Sequence, residues 1–282
     1  MATESIDLGG IRVQILSGGN LRLDGGAMFG IIPRPLWSRA TEPDDKHRVQ
    51  LACNCLLIEW EGETNRRAII EAGVGQKYAA KEQKIYAIDP DDWLGASLDA
   101  GGIARDSITD VLLTHLHFDH GGGLTEQVAD DVRPTLPNAR IHVQRQELED
   151  ALSSFGIMTS TYRDENLTPL EDRWQAVDGA FEMLPGLHAL PTPGHTRGHV
   201  SLLVRGSERT LAFAGDVMPT AAHSGAAFNM AYDLFPLDNR VSKQKLLKQA
   251  AEEDWLLMLG HEPNQPLQRV VVDGDWYHLQ PV

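Results

Sequence analysis

Four apolar runs in this chain each stop on a histidine or an aspartate. "ITDVLLTH" ends at His115, "LHALPTPGH" at His195, "TLAFAGD" at Asp216 and "DWLLMLGH" at His261. Near-continuous apolar runs of this length read as strands buried on both faces. That pattern restricts the fold to layered α/β, with helices covering the sheet faces. Strand ends are also where open α/β sheets collect ligands and catalytic groups. In the last three runs a glycine precedes the polar residue, allowing the sharp turn and close backbone approach that a ligand loop needs.

The first run continues as "THLHFDHGGG", three histidines and an aspartate within six positions. On an extended segment His115 and His117 point the same way, because side chains repeat every two residues. The turn that follows can swing Asp119 and His120 towards a second point. Imidazoles and carboxylates suit Zn²⁺, Fe²⁺ or Mn²⁺ without a thiolate. A lone His or Asp at a strand end is more often a cap; four strand ends carrying such residues favour a metal site.

The remaining strands are expected at 11–16, 53–60, 66–73, 139–144, 199–206, 268–272 and 276–280. A hairpin turn falls at Asp273-Gly274-Asp275. Helical patterns fall at about 75–85, 91–99, 122–130, 145–153 and 241–253. Two segments fit poorly: 23–48, rich in Gly and Pro yet carrying Met28, Phe29 and Trp37, and 153–174. Long irregular loops of this kind often serve as lids or binding loops.

The 40 acidic against 25 basic residues leave a net charge of −15, which repels phosphate backbones and disfavours nucleic acid. No apolar run approaches the roughly 20 residues of a membrane span, so no membrane partner is expected. "MATESIDLGG" has neither a basic n-region nor an apolar h-region, which points to a cytoplasmic protein. Cys53 and Cys55 read as buried free thiols.

H-x-H-x-D-H followed by G-H, G-D and G-H is similar to the metallo-β-lactamase superfamily, over about 50–265. The resemblance implies one domain over 1–282, a four-layer αβ/βα sandwich with two mixed sheets facing each other. It implies that His115, His117 and His195 hold one divalent ion, that Asp119, His120 and His261 hold another, and that Asp216 bridges them. Two Zn²⁺ are expected, with Fe²⁺, Mn²⁺ or Co²⁺ as alternatives. "LDGGAMFGIIPRPLW", "GHTRGH" and "MAYDLFP" further resemble the YtnP-type quorum-quenching lactonases, which open N-acyl-homoserine lactones. The resemblance then implies a hydroxide shared by two metals that attacks the lactone carbonyl, with Asp119 orienting it and carrying a proton to the leaving alkoxide.

That resemblance assigns 23–48 as a flap, with Met28, Phe29, Trp37 and His223 lining a substrate pocket; the same segment could instead pack a sheet edge or a homodimer interface. The segment 153–174 is expected to be a lid. Glu71 stands where many members have Asp, and it and His199 are expected to support the ligands from behind. Pro219 stands where many lactonases of this kind have a Tyr, three residues after the bridging Asp. Tyr232 is the candidate to supply that phenol, Tyr162 a weaker one. An aryl ester or a phosphotriester is the alternative substrate on the same site. A mononuclear iron oxygenase is a more distant alternative.

Overall fold

The apolar runs become strands, and the alternation of their side chains sorts them between separate cores. The computed structural model describes residues 5–156, 159–274 and 276–282. The chain begins with β1 (Ser5–Asp7), β2 (Ile11–Asp24), α1 (Gly25–Phe29), α2 (Arg34–Trp37), β3 (Arg48–Trp60) and β4 (Arg67–Ile70). Then come α3 (Ala80–Tyr86), α4 (Leu94–Ala100), β5 (Asp110–Leu112), α5 (Phe118–Gly121), β6 (Thr125–Val128) and β7 (Asp131–Pro134). β8 (Arg140–Gln144), α6 (Arg145–Leu152), α7 (Asp164–Leu167), β9 (Trp174–Val177), β10 (Phe181–Leu184), β11 (Leu187–Pro191), β12 (Val200–Arg205) and β13 (Thr210–Phe213) follow. The last elements are α8 (Pro236–Glu252), β14 (Leu256–Met258), β15 (Leu267–Asp273) and β16 (Trp276–Pro281).

Two seven-stranded mixed sheets result, ordered β1-β2-β3-β4-β5-β8-β9 and β10 through β16 in sequence order. Leu56 and Ile58 of β3 share a core with Leu202 and Val204 of β12 and Phe213 of β13, so the sheets face each other. The alternate residues Cys55 and Leu57 pack instead against Leu94 and Leu98 of α4 and Ala151 of α6. On the other side Leu203 and Ala212 meet Leu246 and Leu247 of α8. The period of two thus feeds inner and outer cores from the same strands, giving four layers, helix–sheet–sheet–helix. Cys53 and Cys55 are buried free thiols. Among the described residues no helix is long and apolar enough to cross a membrane.

Several expectations need correction. The helix expected at 122–130 is a single 3₁₀ turn (Gly122–Leu124) followed by the β6–β7 hairpin. Its glycines are needed for close approach, since a Cβ on Gly122 would lie 2.0 Å from the Val74 carbonyl oxygen. The strand expected at 11–16 runs on to Asp24, because a bulge between Ser17 and Asn20 resets the alternation. The segment 23–48 is not a single irregular loop; strands enter it at both ends and two short helices fill its middle. The edge strands β1, β9 and β10 carry weak apolar patterns and were not expected. β15 and β16 pair as expected, although Asp275 of the predicted turn lies outside the described residues, as do residues 157 and 158 of the predicted lid.

Candidate metal centre

All four marked strand ends reach one edge of the sandwich. β5 ends at Leu112; His115 comes three residues later and His117 after it, and α5 then carries Asp119 and His120 to the same cluster, the His120 ring 3.9 Å from that of His115. His195 follows β11, Asp216 follows β13 and His261 follows β14. Gly215 adopts φ +63, and a Cβ there would lie 2.6 Å from His199 Nε2, so the Asp216 turn requires glycine.

Three sets of donors each lie within 4.8 Å of one another: His115, His117 and His195; His115, His120 and Asp216; Asp119, His120 and His261. Asp216 divides the cluster. Its Oδ2 lies 3.3 Å from His195 Nε2, while its Oδ1 lies 3.4 Å from His120 Nε2 and 3.3 Å from His261 Nε2. Asp119 reaches His261 Nε2 at 3.6 Å.

The outward nitrogens have assigned partners. His120 Nδ1 donates to Glu71 at 2.9 Å, His195 Nδ1 to Asp233 at 2.9 Å and His261 Nδ1 to the Ala52 carbonyl at 2.7 Å. Those bonds fix the tautomers and turn each Nε2 lone pair inward. With both rings neutral, His120 Nε2 and His261 Nε2, 3.1 Å apart, would meet lone pair to lone pair, a repulsive contact that positive charge between them, a proton or a cation, relieves. His115 Nε2 and Asp216 Oδ1 are buried without a hydrogen-bond partner. The donor set fits divalent cations held by imidazole and carboxylate.

Electrostatics agree. Against the pull of burial, the carboxylates of Glu71, Asp216 and Asp119 raise His120 well above the usual imidazole range. Asp216 does the same for His261. Asp216 itself, despite burial, is held well below the carboxylate range by His261, His120 and His195. Burial and the neighbouring imidazoles push His115 and His117 down. The site as a whole calls for positive charge at its centre.

The expected supports behave differently. Glu71 accepts from the Thr114 N–H at 2.8 Å as well as from His120. His199 Nε2 accepts from the Asp216 N–H at 2.9 Å, so its other nitrogen carries the proton toward Thr192. Burial holds His199 down near 3, a neutral ring that anchors the Asp216 turn. The Pro219 carbonyl accepts from the His261 N–H at 2.9 Å, so this position supports a cluster residue through its backbone.

A cavity open to solvent lies over the cluster, lined by His117, Asp119, His195, Asp216 and His261. Met28, Leu51, Tyr86, Phe118, Tyr162, Met230, Tyr232 and Leu234 supply its largely apolar wall. Of the residues expected to line the pocket or supply the phenol, Met28, Tyr232 and Tyr162 line the cavity. Phe29, Trp37 and His223 do not line the cavity, which corrects that expectation. Phe29 is stacked between Trp37 (5.3 Å) and His223 (4.6 Å) in a buried layer behind Met28. Successive residues of α1 face different ways, so only Met28 turns to the cavity. Of the apolar residues at 27–37, Ile31 and Leu36 are the exposed ones.

Two functional-site residues escaped the sequence reading. Asp233 orients His195, and the only signal was its place in "MAYDLFP", an acid inside an apolar run. Glu147 is fully buried and bonds to the loops on either side of His195 and His117, yet in "RQELEDAL" it reads as one more surface acid.

Residues 48–261 match the family model of the Metallo-beta-lactamase superfamily. An N-acyl homoserine lactonase of Bacillus thuringiensis is 28% identical over 169 residues, 58% of this chain and 60% of the relative. The N-acyl homoserine lactonase AttM of Agrobacterium fabrum is 27% identical over 184 residues, 63% of this chain and 66% of the relative. The chain thus matches about three fifths of the length of the first of these relatives. Among solved structures, a probable metal-dependent hydrolase from Staphylococcus aureus superposes with a TM-score of 0.88 at 28% identity, covering 98% of this chain and 99% of that one. AidC, a dizinc quorum-quenching lactonase, shares the fold with a TM-score of 0.81 at 17% identity, covering 99% of this chain and 97% of its own.

Proposed function

Because the chain belongs to the metallo-beta-lactamase superfamily, we propose that it is a dinuclear metal-dependent hydrolase that opens the lactone ring of N-acyl-homoserine lactones. The observation that carries this reading is the cluster divided by Asp216 beneath a largely apolar cavity. The relatives named as N-acyl homoserine lactonases support the choice of substrate. His115, His117 and His195 would hold one ion, Asp119, His120 and His261 the other, with Asp216 shared. Zn²⁺ suits these donors, and Fe²⁺, Mn²⁺ or Co²⁺ are accommodated by the same set.

When bound, the two ions supply Lewis-acid polarisation of the ester carbonyl and a water that ionises near neutral pH. The side chains do the rest. Asp119, in the cavity floor, takes up the proton that a water loses as its oxygen adds to the carbonyl carbon, and returns it to the ring oxygen as the acyl C–O bond breaks. The Tyr232 hydroxyl is pushed up to about 12, chiefly by burial, so it keeps its proton and donates a hydrogen bond to the carbonyl oxygen. Met28, Leu51 and Tyr86 pack the acyl chain and exclude water.

Proton release from lactones of several acyl lengths, measured with the zinc-reconstituted protein, tests this directly. Turnover that rises with chain length is the expected result. An aryl ester and a phosphotriester run alongside; cleavage of either with no lactone opening overturns the substrate and keeps the dinuclear hydrolase.

A further inference from the structure

Three residues, Thr196, Arg197 and Gly198, separate His195 from His199, and none of them lines the cavity. All three dock on α6. The Thr196 hydroxyl donates to Glu147 Oε2 at 2.6 Å. Arg197 pairs with Asp150 through Nε at 2.9 Å and through Nη2. A Cβ on Gly198 would lie 2.4 Å from the Glu147 backbone nitrogen, so only glycine permits this approach. Glu147 and Asp150, three residues apart, share one face of the helix.

The second oxygen of Glu147 reaches the other half of the cluster. Oε1 accepts from the Leu116 N–H at 3.0 Å, between His115 and His117, and from the Tyr162 hydroxyl at 3.1 Å. The Tyr162 ring lies 5.1 Å from that of His117 and forms part of the cavity wall. Glu147 is 0% exposed and makes no ion pair among the described residues, relying on these three neutral donors. Burying a carboxylate this way is costly, and an apolar residue would serve packing alone better.

We propose that Glu147 is a positioning residue that joins the two chain segments supplying His117 and His195, and ties Tyr162 of the cavity wall to the same point. This rests on the reading of His115, His117 and His195 as one metal site. The test is Zn²⁺ content and affinity, by equilibrium dialysis with atomic emission, for wild type, Glu147→Gln and Glu147→Met. Glutamine keeps an oxygen for Leu116 and Tyr162 and can donate to the Thr196 hydroxyl, so it should bind two metals within about threefold of wild-type affinity. Methionine removes every acceptor, so one of the two metals should weaken about 10–100-fold while the other is unchanged.

A folded methionine variant that binds both metals at wild-type affinity overturns the proposal. So does a glutamine variant that loses metal as methionine does, because charge rather than hydrogen-bonded placement would then be what counts. If circular dichroism finds the methionine variant unfolded, Thr196→Val removes only the arm to the His195 loop. It should weaken one metal about tenfold, and unchanged affinity overturns the proposal. Wild-type protein that binds fewer than two metals overturns the underlying site assignment, a distinct result.

Discussion

Replacing His223 with leucine tests how the cavity wall at Met28 is held. The imidazole is 1% exposed and lies flat on Phe29. Its Nε2 faces the Met28 carbonyl at 2.9 Å and must donate; its Nδ1 therefore accepts from the Thr220 hydroxyl at 2.8 Å. Leucine has a similar volume and keeps the apolar contact, but it strands a carbonyl and a hydroxyl. At about 1–3 kcal/mol for each unsatisfied buried group, the expected loss is about 2–6 kcal/mol. The ring also carries a pH signature. Burial, more than the nearby Lys243, pulls it from 6.5 down to about 4. Between those values the unfolded chain binds a proton that the folded chain refuses. The stability linked to the neutral ring is therefore complete above pH 6.5 and is lost as pH falls toward 4, about 3 kcal/mol in all. Urea unfolding of both proteins, stripped of metal so that its release at low pH does not contribute, reads both effects. Wild type should exceed the variant by about 2–6 kcal/mol at pH 7.5, with the gap smaller by about 2–3 kcal/mol at pH 4.5. Equal stability at pH 7.5, or a gap that does not change with pH, refutes the reasoning.

Asp216→Ala removes the carboxylate that faces both halves of the cluster. It should leave fewer than two metals by atomic emission and lower turnover by more than about 100-fold, beyond what losing an outer partner costs. Asp233→Asn keeps the shape but takes the charge from behind His195, and should weaken metal binding about 10–100-fold in a dialysis titration. Tyr232→Phe should lower kcat on lactones by about 100-fold with KM little changed, as loss of a hydrogen bond made in the transition state does; a change in KM alone would assign the phenol to binding.

Much of the fold could be read from the chain because its signals are local. A strand buried on both faces must be continuously apolar, and a residue of the ligand type at its end stands out against that run, as His115, His195, Asp216 and His261 do. The layered architecture followed from the mixture of such strands with helical patterns. Where the local signal was weak, at the edge strands β1, β9 and β10, or was reset by a bulge, as at Gly18–Gly19, the reading failed. The three-ring stack of Trp37, Phe29 and His223 could not be told from a pocket wall, since an aromatic residue has the same composition on either side of a wall.

What the sequence alone determined was which atoms are available: imidazoles and carboxylates at strand ends, in a chain of net charge −15. Only the tertiary structure decided what each atom faces. Glu147 and Asp233 became supports of the cluster because packing carried α6 and the 230–236 turn against His195. A carboxylate acquires such a role from donors far away in the chain, 31 residues for Leu116, 38 for His195 and 49 for Thr196, and no local pattern encodes them.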